Sequence, residues 1–304
     1  MNTSWKDRTT RAARLMAAIA MLGAGSRAAA QGAGEQAAFD RPEAWALKYF
    51  AAVTTFTRLG PPEVRKPGSV DLGLEAGWVP YLSESERRVG FEGTKVEDLN
   101  KTPVYGRMRL AIGLPAGITA DLGWVPPIEI NGSKPNFFNA ALERPFFQQG
   151  PWTLGLRIYG QVGYATGDYT CPADVASEPP GSPANPYECN QPSNDIARLN
   201  DLGAALTGGV KLGAATLHFA GGGTYNDLQF QTHAVTGGVP DNTLLTTHGW
   251  TGWVAAGVGV HVCERLWLAV EAFYSPLWVK RPPSQEAQND GLFNVRGLLK
   301  YRLF

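Results

Sequence analysis

The sequence predicts an all-β chain that folds as a membrane-spanning, antiparallel, up-and-down β-barrel of about ten strands. Three observations predict it. Apolar and polar residues alternate with period two through most of the chain, aromatic residues recur near the ends of the alternating segments, and the connections alternate between long and short. The 304 residues include 36 Gly, nine Trp, ten Tyr and 13 Phe beside only four Met, a balance that favours a β-rich protein. No run of about 18–20 apolar residues exists, which excludes a helical membrane protein.

Residues 1–30 have the composition of a secretory signal peptide. Basic residues at positions 6–14 precede an apolar stretch at 15–25, and three alanines at 28–30 provide a small-residue cleavage pattern before Gln31. The apolar stretch is too short to cross a bilayer. Removal of this segment takes away five basic residues and one acid from a chain with 27 of each, and leaves a mildly acidic protein. We therefore expect no nucleic-acid partner.

Residues 31–66 differ from the rest of the chain because they lack the period-two pattern. Asp40, Pro42 and Glu43 form a helix-start signal, and residues 44–56 have the length of a helix of three to four turns ending before Pro61. We expect a periplasmic amino-terminal segment whose short helix plugs or flanks the barrel. An alternative is that residues 44–58 and part of a long loop add strands to the wall, which gives twelve strands.

Residues 67–304 are expected to form the barrel, since ten segments alternate between an apolar face and a face rich in charged residues and Gly. The strands of a soluble β-sandwich also alternate between apolar and polar residues, so alternation alone does not distinguish a sandwich from a membrane barrel. The segments lie at about 70–78, 104–112, 118–124, 136–147, 152–164, 202–212, 217–219, 250–260, 266–274 and 293–303.

The lengths of the connections favour the barrel over the sandwich. Short turns are expected near 114–117, 148–151, 212–214 and 262–265, and longer connections near 80–102, 127–135, 166–197, 232–246 and 277–290. All tight turns then lie at one end, as in bacterial barrels with short periplasmic turns and long extracellular loops. An even number of strands brings both barrel termini to the periplasmic end.

The carboxy terminus carries a family resemblance. The last strand is amphipathic and ends at an aromatic residue, Phe304, although Arg302 occupies a position where an apolar residue is common. In this, and in its signal segment and strand ladder, the chain resembles the Gram-negative outer-membrane β-barrel proteins at the superfamily level. The resemblance implies a location in the outer membrane, contact with outer-membrane lipid, and recognition of the strand ending at Phe304 by the barrel-insertion machinery.

Charged residues on the face opposite the apolar one are expected to line the lumen. Acids and bases occur together there, which predicts mutual pairing in a barrel little wider than those filled by their own side chains. The lumen is then either a filled, salt-bridged interior or a narrow charge-lined passage. The residues are Asp71, Glu75, Arg107, Arg109, Asp121, Arg157, Lys211, Glu271, Arg296 and Lys300.

Two of the three cysteines are expected to form a disulfide. Cys171 and Cys189 both lie in the longest loop, and the periplasm and cell surface permit oxidation. Cys263 remains as a single thiol at a predicted turn. No zinc-ligand spacing is present, so neither a metal nor a cofactor is expected.

No catalytic residue is assigned, because the sequence contains no G-x-S-x-G, H-E-x-x-H or P-loop motif. We expect a narrow channel for small polar solutes. One alternative is a structural or surface-interaction barrel with a filled lumen. A second is a lipid or peptide hydrolase that uses Asp and His at the rim, where Asp227, Asp241, His233 and His248 resemble the arrangement in ten-stranded omptin proteases. His218 and His261 lie near predicted periplasmic turns.

Overall fold

A closed barrel of ten antiparallel strands forms the computed structural model, which describes residues 34–284 and 286–304. The predicted signal peptide lies outside the described residues. The predicted fold class and strand number are confirmed. The wall strands are β1 Val70–Trp78, β2 Val104–Gly113, β3 Thr119–Val125, β4 Ser133–Gln149, β5 Trp152–Gly167, β6 Asp195–Leu212, β7 Ala215–Gln231, β8 Leu244–His261, β9 Leu266–Ser275 and β10 Leu292–Arg302.

Each wall strand pairs with its neighbours in sequence, and β10 pairs with β1 to close the barrel. The register joins Gly297 to Ala76 across the closing pair and Glu271 to Arg296 between β9 and β10. The up-and-down order explains why the chain needs only loops, and no crossovers, between strands.

The connections alternate in length as predicted. Tight turns join β2 to β3, β4 to β5, β6 to β7 and β8 to β9 at what we call the short-turn end, and the other connections lie at the long-loop end. The remaining elements are short apart from one helix. They are the strands Gly34–Gln36, Arg88–Val89, Lys95–Val96, Ala234–Thr236, Val239–Asp241, Trp278–Val279 and Gln288–Asn289, the helices Pro42–Val53, Glu84–Arg87, Gly90–Gly93 and Ala173–Ala176, and the 3-10 turn Pro115–Gly117.

The two faces of the wall differ in the way that a membrane barrel requires. Apolar side chains such as Leu74 and Val254 are exposed on the outside, whereas charged side chains such as Glu75 and Arg107 are buried inside. Aromatic side chains including Trp78, Trp250 and Trp152 are exposed near the two ends of the barrel, where they form interfacial girdles.

The helix expected at 44–56 is observed as α1, Pro42–Val53. Its cap differs from the expectation: Arg41 occupies the N-cap position, while the Asp40 carboxylate pairs with Lys280 Nζ at 2.8 Å. Pro42 in the first turn has the fixed backbone angle that a helix start favours. Among residues 34–284 and 286–304, no helix is both long and apolar enough to cross a membrane.

The amino-terminal segment lies inside the barrel, so its helix plugs the lumen, which is one of the two placements expected from the sequence. The strand Gly34–Gln36 pairs in parallel with the start of β8 at the long-loop end. From there α1 lies in the upper lumen, and residues 54–66 run down the lumen to β1 at the short-turn end. The physical reason is that α1 is apolar on nearly all sides, so only an enclosed position buries it.

Candidate functional site

Ion pairs join charged side chains on the inner face of the wall. Glu75 accepts hydrogen bonds from Arg107 Nη1 at 3.1 Å and from the Tyr105 hydroxyl at 2.8 Å. Asp121 accepts one from Arg157 Nη1 at 2.6 Å, on the next strands around the wall. Mutual pairing of this kind is what an interior of mixed charge requires, because an unpaired buried charge is costly.

The amino-terminal segment supplies further partners that the sequence patterns did not identify. Arg58 Nη1 lies 3.2 Å from Asp121 and 3.0 Å from Glu143, and Arg65 Nη1 lies 2.6 Å from Asp71. Phe56 is buried, with the Arg109 guanidinium 4.3 Å from its ring centroid. These two arginines and Phe56 lie in an irregular, Pro-containing stretch without period-two alternation. The sequence pattern therefore gave no reason to place them in the lumen.

Most of the charged residues expected in the lumen are buried there. Glu271 accepts a hydrogen bond from the Thr57 hydroxyl at 2.6 Å, and Arg296 donates to the carbonyl of Thr55 at 2.6 Å. Lys300 is partly buried, with Nζ 3.6 Å from Asp71. Lys211 is exposed at the short-turn end, beyond the packed interior. The buried residues of the expected set are Asp71, Glu75, Arg107, Arg109, Asp121, Arg157, Glu271 and Arg296.

The lower lumen is filled by contact between the segment and the wall. A Cβ at Gly209 would lie 2.5 Å from Pro61 Cβ, and one at Gly155 would lie 2.7 Å from Pro62 Cβ, so glycine is needed at both positions. A cavity of about 20 Å³ lies among Arg58, the wall and the segment. That volume holds about one water molecule.

A much larger cavity, of about 540 Å³, lies above this region between α1 and the wall. Its size falls within the range of roughly 300–1,000 Å³ that is usual for sites that bind small molecules. The side chains that face it from α1 and the wall are mainly apolar. They are Ala46, Leu47, Phe50 and Val53 from α1, with Phe137, Ala165, Ala197, Leu199, Phe230 and Leu245 from strands β4 to β8. We call this the upper cavity.

Polar groups line the upper cavity where it approaches the loops. Glu35, Phe91 and Glu92 are exposed, which marks the opening toward the long-loop end. Burial raises the pKa of the Glu97 carboxyl to about 7, although Lys95 Nζ lies 2.9 Å away. The hydroxyls of Ser133 and Tyr169 lie 2.7 Å apart on one wall, and burial raises the pKa of Tyr169 to about 12.

The expected disulfide between Cys171 and Cys189 is confirmed. Asn185 Nδ2 donates to the Cys189 carbonyl at 2.9 Å, so the loop between β5 and β6 is braced on its inner side. Cys189 also forms a β-bridge with Thr236 in the loop that follows β7. Cys263 has a free, exposed thiol at the short-turn end.

The histidines do not gather with the aspartates inside the rim. Asp227 and His248 are cross-strand neighbours, but both are exposed on the outer face of β7 and β8. His233 Nδ1 lies 3.1 Å from the Asn194 carbonyl in the loops. His218 is buried low in the lumen with Nε2 3.6 Å from Glu271. The Asp227–His248 pair expected at the rim therefore faces outward and does not form a site inside the rim.

No family model matches the chain. A search of curated proteins also finds no match.

Solved structures with a similar fold are outer-membrane proteins. The attachment invasion locus protein Ail of Yersinia pestis is 9% identical, with 78% of this chain and 100% of that chain covered and a TM-score of 0.30. The toluene transporter TodX of Pseudomonas putida is 10% identical over 78% of this chain and 68% of that one, with a TM-score of 0.33. The translocator domain of autotransporter NalP from Neisseria meningitidis is 11% identical over 80% and 91%, with a TM-score of 0.33. Similarity at this level carries no information about function.

The fold itself supplies the assignment. Ten antiparallel strands close on themselves, their outer face is apolar with aromatic residues at its ends, and their inner face is charged and internally paired. The chain has the architecture of a membrane-spanning β-barrel, and the Gram-negative outer membrane stays the location expected from its sequence.

Proposed function

We propose that the protein binds small, largely apolar molecules in the upper cavity, which it receives from the long-loop end. The observation that carries the proposal is an apolar cavity of about 540 Å³ inside a barrel whose lower lumen is filled. Removal of apolar ligand surface from water is favourable by roughly 25 cal/mol per Å², so a mainly apolar lining favours such ligands.

The lining explains why the ligand should be apolar. α1 contributes Leu47 and Phe50 on the cavity side, and the wall contributes Phe137 and Phe230. Polar contacts within the enclosed part are few and include the paired hydroxyls of Ser133 and Tyr169. Such a lining resembles other binding sites in which a few polar groups orient a mostly apolar ligand.

Passage of polar solutes, the function expected from the sequence, has less support. The charged residues that were to line a passage are paired with one another or with the amino-terminal segment, as Asp121 is with Arg58. Pro61 and Pro62 pack closely against Gly209 and Gly155 of the wall. The filled-lumen alternative agrees better with this arrangement, and the upper cavity adds a binding activity to it.

Binding of a neutral fluorescent probe tests the proposal. The purified protein in non-ionic detergent is titrated with N-phenyl-1-naphthylamine, and the signal of protein-free micelles is subtracted. We expect saturable binding to the native protein. Ala46→Phe, which places a ring in the cavity from α1, is expected to weaken binding by about tenfold or more, equivalent to about 1.4 kcal/mol.

The matched control is Ala256→Phe, because Ala256 is exposed on the lipid-facing side of β8. It adds the same ring outside the cavity and should leave binding unchanged. Heat-modifiable gel mobility establishes that each variant is folded. The proposal is overturned if the native protein shows no saturable binding, or if folded Ala46→Phe binds as tightly as Ala256→Phe.

A further inference from the structure

We infer that the upper cavity selects its ligands by charge, and that it takes neutral and cationic apolar molecules in preference to anionic ones. The inference rests on the proposed function and defines the class of ligand more narrowly. It follows from the ionised groups around the cavity and from the way in which the available cations are already paired.

Carboxylates outnumber cations among the residues that line the cavity. The acidic residues are Glu35, Glu43, Glu92, Glu97 and Asp241, and the basic residues are Arg41 and Lys101. Five carboxylates and two cations leave a formal excess of three negative charges in the lining, and Lys95, whose Nζ lies 2.9 Å from Glu97, offsets one of them. The carboxylates lie toward the loops, since Glu35 and Glu92 are exposed whereas the apolar lining is deeper.

The two cations have little capacity left for an anionic ligand. Lys101 Nζ lies 2.7 Å from Asp98 and 2.8 Å from Asp168, two further acids outside the cavity lining. Its charge is therefore matched twice before any ligand binds.

Arg41 is shared among several acids of the lining. Its guanidinium pairs with Glu35, lies 3.0 Å from Glu43 and lies 4.0 Å from Glu92. The single positive charge of Arg41 is therefore shared by three carboxylates. Asp241 accepts hydrogen bonds from the Thr243 amide and hydroxyl at 2.9 and 2.7 Å, which are neutral donors. An anion at the opening would meet an uncompensated negative potential.

Aromatic rings in the cavity lining add to the preference for cations. The rings of Phe50 and Phe230 line the cavity, and ring faces attract ammonium groups electrostatically. The rings of Phe91 and Tyr187 at the opening are already occupied, because Lys95 Nζ lies 5.9 Å and 5.3 Å from their centroids. An amine with an apolar body is therefore favoured by the aromatic lining and by the carboxylates.

The expected size of the effect follows from Coulomb's law. With an excess of about two charges several ångströms from the ligand and water at the opening, we expect a cation to bind about tenfold tighter than its neutral homologue at low salt. The corresponding anion should bind about tenfold weaker than the neutral homologue. Both differences should decrease as ionic strength rises.

Three ligands with the same chain test the inference. Octan-1-amine, octan-1-ol and octanoate each compete with N-phenyl-1-naphthylamine for the native protein in non-ionic detergent at pH 7.5. Supporting results are an order of affinity of amine, alcohol, octanoate and a smaller spread at high salt. Octanoate equal to or tighter than octan-1-ol overturns the charge selectivity while the proposed function stands. Failure of all three ligands and of the probe overturns the proposed function itself.

A charge-neutralising double variant locates the effect. Glu92→Gln with Asp241→Asn removes two of the five carboxylates, and neither residue is deeply buried. We expect the preference for octan-1-amine over octan-1-ol to fall about fivefold while octan-1-ol binds as before. The matched control, Glu129→Gln with Glu264→Gln, removes two exposed carboxylates that do not line the cavity. Equal effects of the two double variants would contradict a local origin and overturn the inference.

Discussion

Arg58 Nη1 lies 3.0 Å from Glu143 Oε2, with both side chains almost completely buried. Arg58 belongs to the amino-terminal segment and Glu143 to wall strand β4, so one ion pair ties the segment to the barrel. Because the segment neutralises carboxylates of the wall, these carboxylates have all their cationic partners only when the segment is in place.

Loss of the Arg58 charge should destabilise the protein strongly. Arg58→Met removes the only cation within 4 Å of Glu143 among the described residues, and Asp121 retains Arg157. Removal of one partner of a buried pair costs about 3–5 kcal/mol, because the other charge stays buried. Unfolding in urea, followed by heat-modifiable mobility, measures the change.

Two comparisons separate this effect from a general one. Arg88→Met breaks an exposed pair with Glu84 at 2.8 Å and should cost less than about 1 kcal/mol. Adding Glu143→Gln to Arg58→Met should restore part of the lost stability, since the unpaired charge is then removed. Equal losses of unfolding free energy in Arg58→Met and Arg88→Met would show that the buried Arg58–Glu143 pair stabilises the protein no more than an exposed pair does.

The intact protein should conduct no ions in a planar bilayer. Residues 54–66 fill the lower lumen, and the cavity beside Arg58 has room for about one water. Deletion of residues 37–64 should produce stable conductance steps, provided that gel mobility shows a folded barrel. Deletion of residues 180–186, in the outer loop braced by the disulfide, is the control and should leave the protein silent. Stable steps from the intact protein would contradict the plug.

The wall is the part of the molecule that its sequence predicts best. In a strand, successive side chains point to opposite faces, so alternation was sufficient to place Glu75, Arg107 and Asp121 on the inner face. It was not sufficient to choose partners, because pairing depends on register and on side chains from elsewhere. Lys211 shows the same limit: it has the inward phase but lies beyond the packed interior.

The site was harder to predict than the wall. Apart from Lys48, residues 44–53 are apolar on all sides of a helix, a pattern that indicates burial without indicating where. The upper cavity exists because α1 lies apart from Phe137 and Phe230, a distance that no local pattern encodes. Recognition of the last strand and Phe304 by the insertion machinery stays a prediction.

The opening of the loop between β1 and β2 should depend on pH through Glu97. Burial, with smaller contributions from the negative charges of Asp195 and Glu43, raises the pKa of Glu97 from its ordinary value of 4.5 to about 7. The folded loop therefore holds this proton more tightly than the open chain. The resulting stabilisation is complete below pH 4.5 and is lost as the pH rises through about 7.

Hydrogen exchange of residues 95–101, corrected for its intrinsic pH dependence, measures the effect. In the native protein we expect the free energy of opening to be about 1–3 kcal/mol lower at pH 8 than at pH 5. Glu97→Gln should flatten this dependence. Glu92→Gln, which changes an exposed carboxylate, should retain it. A dependence that persists unchanged in Glu97→Gln would assign it to another group.

The disulfide should restrain the longest loop. Cys171 and Cys189 are 18 residues apart, and closing a loop of that size contributes about 3 kcal/mol in the chain-entropy description. Replacement of both cysteines by serine should therefore speed cleavage within residues 172–188 by an added protease, while the barrel stays intact on a gel. Cys263→Ser is the control, because that thiol is free and exposed. Equal cleavage rates in all three proteins would show that Asn185 and the bridge to Thr236 hold the loop without the disulfide.

The orientation of the barrel can be read from one native thiol. Cys263 is exposed in the turn between β8 and β9, at the short-turn end. Outer-membrane barrels place their short turns in the periplasm. A membrane-impermeant maleimide should therefore leave Cys263 unlabelled on intact cells and label it after the outer membrane is permeabilised. Labelling of Cys263 on intact cells would show that the short-turn end faces outward, which contradicts the expected orientation.

The same reagent tests the path of the amino-terminal segment. In a Cys263→Ser background, Glu92→Cys marks the long-loop end, where the Glu92 side chain is 81% exposed. Glu35→Cys marks the beginning of the described segment, where the Glu35 side chain is 47% exposed. Because Gly34–Gln36 pairs with the upper end of β8, both new thiols should react on intact cells. A reactive Glu92→Cys with a Glu35→Cys that reacts only after permeabilisation would place the segment on the periplasmic side and overturn its path through the lumen.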